Sequence, residues 1–245
     1  MKSSIVRMSV LAALCAAASA NAALVDLGPG SFTPLASKIT FDEVPMGTVN
    51  PVFNFTGLEG LGDITVSFAG AFLGQTVSGS WVKTLTGAPS GPLTLDTSVT
   101  VSTVSDGAPG ATSPTLSGVP MFNGPISVLF SKPVAAVGLK GGYFDAIGGT
   151  SIQAFKADGS ILGSITNTKT GFEFYGLAES TGQNLISGIS FYITGSEPAG
   201  FEIDDLTFGS KAAVNIPAVP EPSSVALVLA GAGIVVTRLR KKKQA

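Results

Sequence analysis

The stretch SIQAFKADGSILGSI, residues 151–165, decides the fold class of this chain. Within it, two short apolar segments flank Ala157-Asp158-Gly159-Ser160. An Asp-Gly pair between such segments supplies the positive φ angles that a tight hairpin turn requires. The stretch therefore predicts a β-hairpin.

On both sides of this hairpin, alternate residues along the chain form a repeating pattern with a period of two. Ile126, Val128 and Phe130 alternate with their neighbours, and residues 172, 174 and 176 alternate with 173, 175 and 177. Alternation of this kind is typical of strands that turn one set of side chains inward. Further strands are predicted at residues 38–41, 64–68, 76–82, 134–139, 185–193 and 201–208. Helical periodicity is confined to the two terminal segments.

About ten short strands with glycine-rich turns and no intervening helix predict an all-β fold, an antiparallel two-sheet β-sandwich that is jelly-roll-like. Phenylalanines of the predicted strands are expected in its core, where burial of each contributes about 1.5–3 kcal/mol. They are Phe41, Phe68, Phe130, Phe155, Phe174, Phe191 and Phe208. Residues 87–124, rich in Gly, Pro, Ser and Thr, are interpreted as long loops of the same domain.

The charge of the central part excludes one class of partner. Residues 23–216 contain seven lysines, no arginine and fifteen acidic residues, a net charge of −8, although the whole chain has only −2. So acidic a surface repels phosphate backbones, and no basic patch interrupts it. We therefore expect no binding to nucleic acid.

The residue inventory also excludes several chemistries. The chain has no histidine, and its single cysteine, Cys15, lies near the N-terminus. Disulfides, thiol catalysis, imidazole-based triads and zinc sites built on His or Cys are thereby excluded from the central domain.

The N-terminal segment has the pattern of an export signal. Lys2 and Arg7 precede or flank an apolar stretch over residues 8–18, and Ala20 and Ala22 place small residues where signal peptidase needs them. We expect a helical signal peptide over residues 1–22, cleaved after Ala22. Lipidation at Cys15 is the alternative, but Leu14 stands where that processing requires a small residue.

The C-terminal segment has three parts in order. Pro220-Glu221-Pro222 comes first, and an apolar run over residues 225–236 follows. A dozen helical residues span roughly 18 Å, less than a bilayer core, so we expect a short transmembrane helix that acts as a stop signal. Basic residues resist translocation and should remain in the cytoplasm. They are Arg238, Arg240, Lys241, Lys242 and Lys243.

These three parts together resemble the PEP-CTERM sorting signal of Gram-negative bacteria. The resemblance implies that a membrane exosortase cuts near Pro220-Glu221-Pro222, in organisms that make exopolysaccharide or biofilm matrix. The two prolines hold the segment extended, a form that a processing enzyme can grip. The competing interpretation is an ordinary C-terminal anchor with a proline-rich stalk.

The expected organisation follows from these signals. Residues 1–22 form the signal peptide, 23–210 the exported β-sandwich, 211–219 a linker and 220–245 the sorting signal. The chain is expected in the inner membrane with its C-terminus in the cytoplasm before processing, and afterwards at the cell surface or in the extracellular matrix.

Two acidic clusters suggest a structural calcium ion. Asp42 and Glu43 follow the first predicted strand after the signal peptide, and Asp204 and Asp205 interrupt the last. First and last strands of a sandwich are often neighbours, and calcium takes six to eight oxygen ligands. Residues 201–208 also resemble the closing strand of carbohydrate-binding-module-like jelly rolls, which implies an acidic calcium ligand there. The alternative is that these acids are solvated edge residues or form a β-bulge.

Two aromatic residues are candidates for stacking on a sugar ring. Trp81 and Tyr143 both lie near glycines, where a flat ring face can remain accessible. Core packing is the alternative for each. The glycine-rich segments 140–143 and 148–150 have no Walker pattern and are interpreted as turns.

A catalytic function is not expected, and no cofactor beyond the calcium ion is predicted. A carboxylate glycosidase would use Glu202 with Glu173 or Asp145, but nothing in the sequence selects such a pair. We expect a non-catalytic, surface- or matrix-associated protein whose partners are signal peptidase, an exosortase-type enzyme, the membrane and exopolysaccharide. A structural or adhesive self-associating protein is the alternative.

Overall fold

Strands follow one another through nearly all of the described chain. The computed structural model describes residues 24–105 and 114–217, which belong to one compact unit, Ala22–Ala218. The strands are β1 Leu24–Asp26, β2 Ser37–Ile39, β3 Val52–Leu58, β4 Gly62–Ala69, β5 Ala71–Phe72, β6 Thr76–Ser78, β7 Thr84–Thr86, β8 Leu95–Asp96, β9 Val101–Val104, β10 Thr115–Gly118, β11 Ile126–Val134, β12 Ala136–Phe144, β13 Thr150–Phe155, β14 Ile161–Thr166, β15 Gly171–Glu179, β16 Ile186–Ile193 and β17 Glu202–Gly209. Two short 3-10 helices, Pro29–Ser31 and Lys211–Ala213, complete the elements.

The strands form two large sheets and one small one. A seven-stranded sheet has the order β1-β15-β12-β17-β10-β9, with β2 also on β17. An eight-stranded sheet has the order β14-β13-β16-β11-β4-β3 and includes β6 and β7. Strands β5 and β8 form the third sheet. Every pairing is antiparallel except the contact of β7 with β16.

The two large sheets share one apolar core. Leu139, Leu177 and Phe208 of the seven-stranded sheet belong to the same buried cluster as Val66 and Ile189 of the eight-stranded sheet. The described chain is therefore all-β with antiparallel sheets, as the sequence predicts, and its layers are consistent with a β-sandwich.

The hairpin that decides the fold class is confirmed. Strands β13 and β14 pair from Ser151 with Thr166 to Phe155 with Ile161. Gly159 has a φ of +81°, and the Asp158 carboxylate accepts the Ser160 N–H at 2.9 Å. The Ser160 hydroxyl also donates to this carboxylate at 2.6 Å, and the hydroxyl and the N–H together hold the pKa of Asp158 below its ordinary value.

A β-bulge near the end of the domain explains why acids interrupt β17. Opposite β12, the register of β17 shifts by one residue between Thr207 and Asp204, and Asp205 has a φ of +51°. The bulge switches the phase of the strand, so that Ile203 and Leu206 both face the core. Asp205 is thereby turned to the outer face.

Several expectations need correction. Phe174 is not a core residue, since β15 turns Tyr175 and Leu177 inward and Phe174 outward. Residues 87–124 are not only loops, because they contain β8, β9 and β10. The glycines of residues 140–143 lie inside β12 and not in a turn.

The packed domain also reaches beyond residue 210. Val214 is buried, pairs with Phe32 and belongs to a small apolar cluster with Leu27 and Ile216. Residues 211–216 therefore pack on the sheet, although the sequence places a linker there.

The expected signal peptide, residues 1–22 with Ala20 and Ala22, lies outside the described residues, as does the sorting signal, residues 220–245. Among the residues that the structure describes, no helix is long and apolar enough to cross a membrane.

Candidate functional site

The outer face of β12 carries two glycines covered by aromatic rings. Val137 and Leu139 face the core, so Gly138, Lys140 and Gly142 face outward. A Cβ added at Gly138 would lie 2.5 Å from the Phe174 ring and 2.8 Å from the Phe32 ring, and one at Gly142 would collide with the Phe172 ring. The missing side chains thus give flat rings room to lie against the sheet.

A groove of about 360 Å³ lies at the Gly138 end of this face. Its walls combine apolar rings with a charged group in the middle. The residues that line it are Pro29, Phe32, Thr33, Pro34, Ala36, Lys38, Lys140, Phe174, Asp205 and Thr207. A concave site with apolar walls and a few convergent polar groups is typical of small-molecule binding.

The charged group in the groove is centred on Asp205, which lies at the β-bulge of β17. Asp205 forms ion pairs with Lys140 and with Lys38, the latter at 3.4 Å. Burial acts to raise the pKa of Asp205, but the hydrogen bonds and charges of the two lysines outweigh it and hold that pKa below its ordinary value. The hydrogen bond to Asp205 correspondingly raises the pKa of Lys140. Both lysine side chains remain more than half exposed, so their outer N–H groups can reach a ligand.

An aromatic row of Phe122, Tyr143 and Phe172 lies at the other end of the face. The ring centroids of Phe122 and Tyr143 are 6.2 Å apart, and those of Tyr143 and Phe172 are 5.2 Å apart. Phe172 is 55% exposed. Tyr143 and Phe122 have φ angles of +70° and +65°, which bulky residues rarely adopt. Such backbone strain is concentrated at functional sites.

Five loops meet at this end of the domain, which we call the loop end: residues 79–83, 119–125, 145–149, 167–170 and 194–201. Hydrogen bonds join them: Lys83 N–H to Asn123 O at 2.8 Å, Phe201 N–H to Phe122 O at 2.7 Å, Ala199 N–H to Asp145 Oδ2 at 2.7 Å and Gly148 N–H to Asn167 O at 3.0 Å. The loop end is therefore held together by hydrogen bonds between distant parts of the chain, three of them between backbone groups and one to the Asp145 carboxylate.

The two stacking candidates from the sequence lie in the same region. Trp81 is 65% exposed in the loop between β6 and β7, which is bonded to the loop that carries Phe122. Tyr143 is the middle ring of the aromatic row. Neither is in the core.

A pair of carboxylates also lies at the loop end. Glu197 is buried at 3% exposure and accepts the Asp145 N–H at 2.6 Å. Burial raises the pKa of Glu197, backbone hydrogen bonds lower it, and the neighbouring Asp145 carboxylate raises it further, so the pKa lies above its ordinary value.

The structure gives two of the four proposed calcium ligands, Asp205 and Glu43, other partners. Strands β2 and β17 do pair, Lys38 with Thr207 and Ile39 with Leu206. However, Asp205 is engaged by lysines, and Glu43 accepts the Thr40 N–H at 3.1 Å. Across residues 24–105 and 114–217, no three or more acidic side chains form a metal-binding group. A site built on Asp42, Glu43, Asp204 and Asp205 stays a prediction.

The glycosidase candidates have structural partners where they lie. Glu202 is 3% exposed and accepts the Thr115 hydroxyl at 2.8 Å. Glu173 accepts the backbone N–H groups of Thr168 and Lys169 at 2.8 and 3.1 Å and so shapes the loop before β15. A catalytic pairing of Glu202 with Glu173 or with Asp145 stays a prediction.

Sequence reasoning did not identify Phe122, Phe172, the groove or Glu197 as functional. Phe172 belongs to a predicted strand, but Phe174 and Tyr175 are adjacent aromatic residues of the same strand, so the sequence does not show which face Phe172 occupies. Glu197 gives no local signal, because its contacts come from a loop some 50 residues earlier. In comparisons with known proteins, no family model and no curated protein matches the chain.

Proposed function

We propose that this chain is an exported, non-catalytic protein of the cell surface or extracellular matrix that binds exopolysaccharide along the outer face of β12. Its domain is a jelly-roll-like β-sandwich. A signal peptide directs export, a PEP-CTERM signal with a short transmembrane helix directs sorting, and an exosortase-type enzyme processes the tail.

The observation that carries the binding proposal is the continuity of groove and aromatic row. Gly138, Lys140 and Gly142 face outward in turn along β12, a length of roughly 13 Å. Aromatic rings flank both ends, and the ion pairs of Asp205 lie in the middle. A sugar ring presents apolar C–H groups that stack on aromatic rings and hydroxyl groups that bond to charged side chains. This face offers aromatic rings at its two ends and charged side chains between them, so it could contact both parts of a sugar.

The direct test measures binding of the full-length protein to a glycan array and then to the best ligand by calorimetry. We expect saturable binding that falls at least tenfold in Phe172→Ala and Tyr143→Ala. Ile161→Ala, an exposed apolar side chain on β14, is the matched control and should bind as the parent does. Binding that is unaffected by both aromatic variants would overturn the proposed face.

A self-associating surface protein is the second candidate, and exposed apolar side chains favour it. Met121, Ile147 and Phe172 are 54%, 70% and 55% exposed, and they lie in or beside the loop end. Analytical ultracentrifugation separates the candidates. Concentration-dependent oligomers that Ile147→Asp abolishes, together with no glycan binding, would support self-association instead.

A further inference from the structure

Glu197 is a buried carboxylate with one oxygen unsatisfied. Its Oε1 accepts the Asp145 N–H, but its Oε2 has no hydrogen-bond partner among the described residues. The residue is only 3% exposed. A buried carboxylate oxygen without a partner costs free energy, so this position calls for a group that balances it.

Further oxygens converge on the same point. At the position that a Cβ on Gly149 would occupy, Glu197 Oε2 is 2.6 Å away, the Ala146 carbonyl oxygen 3.0 Å and the Ser196 carbonyl oxygen 3.1 Å. The Asp145 carboxylate lies beside Glu197. These three oxygens therefore lie in contact with the bare Cα of Gly149, and the Asp145 carboxylate lies beside one of them.

Among the described residues, no cationic side chain forms an ion pair with these carboxylates. Both ion pairs among residues 24–105 and 114–217 involve Asp205 in the groove, and neither reaches Asp145 or Glu197. The Ala146 carbonyl oxygen accepts N–H groups from Gly149 and from the Asn167 side chain, so its two lone pairs are engaged. The Ser196 carbonyl oxygen lies 3.1 Å from the same Cβ position, near Glu197 Oε2, which has no donor among the described residues.

We propose that Glu197, Asp145 and the carbonyl oxygen of Ser196 form a calcium site that joins the loops 145–149 and 194–201. Calcium accepts mixed carboxylate and carbonyl ligands in flexible geometry and completes its shell with water, which exposed Asp145 allows. Magnesium demands a stricter octahedron and fits this irregular set less well. The site is distinct from Asp42, Glu43, Asp204 and Asp205.

The position of the site gives the ion a mechanical role. Asp145 follows Tyr143 by two residues, and Gly200, within the second loop, packs against the Phe122 backbone. An ion between the loops would therefore fix the backbone on both sides of the aromatic row. This role goes beyond the proposed carbohydrate binding and does not depend on it.

The test is calcium binding by the full-length protein, measured by calorimetry with CaCl₂ and by thermal melting with calcium or chelator. We expect one saturable site and a rise in melting temperature with calcium concentration, because a ligand of the folded state stabilises it by mass action. Glu197→Gln, which keeps the shape and removes the charge, should weaken binding at least tenfold. Without calcium it should melt no lower than the parent.

Asp42→Asn is the matched control, since it removes one carboxylate charge from the other acidic cluster and should leave calcium binding unchanged. Should Glu197→Gln not fold, the exposed Asp145→Asn decides, with the same expected loss. A parent protein that does not respond to calcium overturns the proposal, and stability that varies with pH alone would indicate a proton shared by the two carboxyl groups. Loss of binding in Asp42→Asn but not in the loop variants would move the ion to the other cluster.

Discussion

Substitutions at Asp205 separate the two roles of the bulge in β17. The residue has a left-handed backbone, with a φ of +51°, and its carboxylate pairs with Lys38 and Lys140. Asparagine tolerates this backbone but carries no charge, glycine adopts it without strain, and alanine has neither advantage. All three variants therefore lose the ion pairs, but only the alanine variant also places an ill-suited residue in the left-handed backbone.

The expected magnitudes follow from exposure. The lysine side chains are 51% and 59% exposed, so each pair contributes roughly 0.2–1 kcal/mol and the two together about 1 kcal/mol. Asp205→Asn should lower the free energy of unfolding by that amount. Asp205→Gly should lose a similar amount of unfolding free energy. Asp205→Ala should lose about 1 kcal/mol more, because alanine is strained in the left-handed backbone.

Urea denaturation followed by circular dichroism measures these differences. Trp81, the single tryptophan, is 65% exposed and reports poorly on unfolding. High salt should shrink the gap between parent and Asp205→Asn, because exposed pairs are screened. Equal stability of the Asn and Ala variants would refute the argument from backbone strain, and an unchanged Asn variant at low salt would refute the contribution of the pairs.

The same series has a defined pH dependence. The folded-state pKa of Asp205 lies below its ordinary value, so the stabilisation is complete above the unfolded pKa and is lost as the pH falls through the folded one. Between roughly pH 5 and pH 2 the parent should therefore lose its advantage over Asp205→Asn. A gap that persists at low pH would show that charge is not its source.

Three further outcomes are expected. Phe191→Ala removes a fully buried ring that contacts three other aromatic rings in the core, and urea denaturation should show a loss of about 3–5 kcal/mol. Burial acts to raise the pKa of Glu179, but hydrogen bonds, led by that from the Thr181 hydroxyl, hold it below its ordinary value. The stabilisation by the ionised Glu179 is therefore lost as the pH falls through its folded-state pKa. In Glu179→Gln, the melting temperature should accordingly fall less steeply towards acid pH than in the parent. Mass spectrometry of the exported protein should find a C-terminus near Pro222, and an intact Ala245 would contradict processing.

The fold class could be read from short-range patterns because a hairpin is local. The Asp158-Gly159 turn and the alternation over residues 126–130 need no distant partner to be recognised. The sequence does not show which residues of β15 face the core, since Phe174 and Tyr175 are adjacent and both are large and aromatic. Only the distant Phe32, which packs over Gly138 beside Phe174, shows which side of the strand faces outward.

The candidate site was predictable only where one residue gave the signal. Tyr143 lies beside glycines in the sequence and is in the aromatic row, whereas its partner Phe122 comes from a loop some 20 residues earlier. The sequence alone favours a turn at Gly141 and Gly142, because glycine marks turns in the absence of other information. In the folded chain, the space above Gly142 accommodates an aromatic ring.

The two large sheets differ in how their outer faces are covered, and this difference supports the binding face that we propose. On the eight-stranded sheet, Phe155 is fully buried under Phe72 and Leu93 in a second apolar cluster. On the seven-stranded sheet, Leu27 and Val214 cover the Ala136 end of β12, but the cover stops before Lys140. Beyond that point Phe122 and Tyr143 are half-buried, but Phe172 is 55% exposed and gains little from burial in the domain itself. An exposed ring at the end of this face is what the proposed ligand would use, whereas the stability of the fold does not call for it.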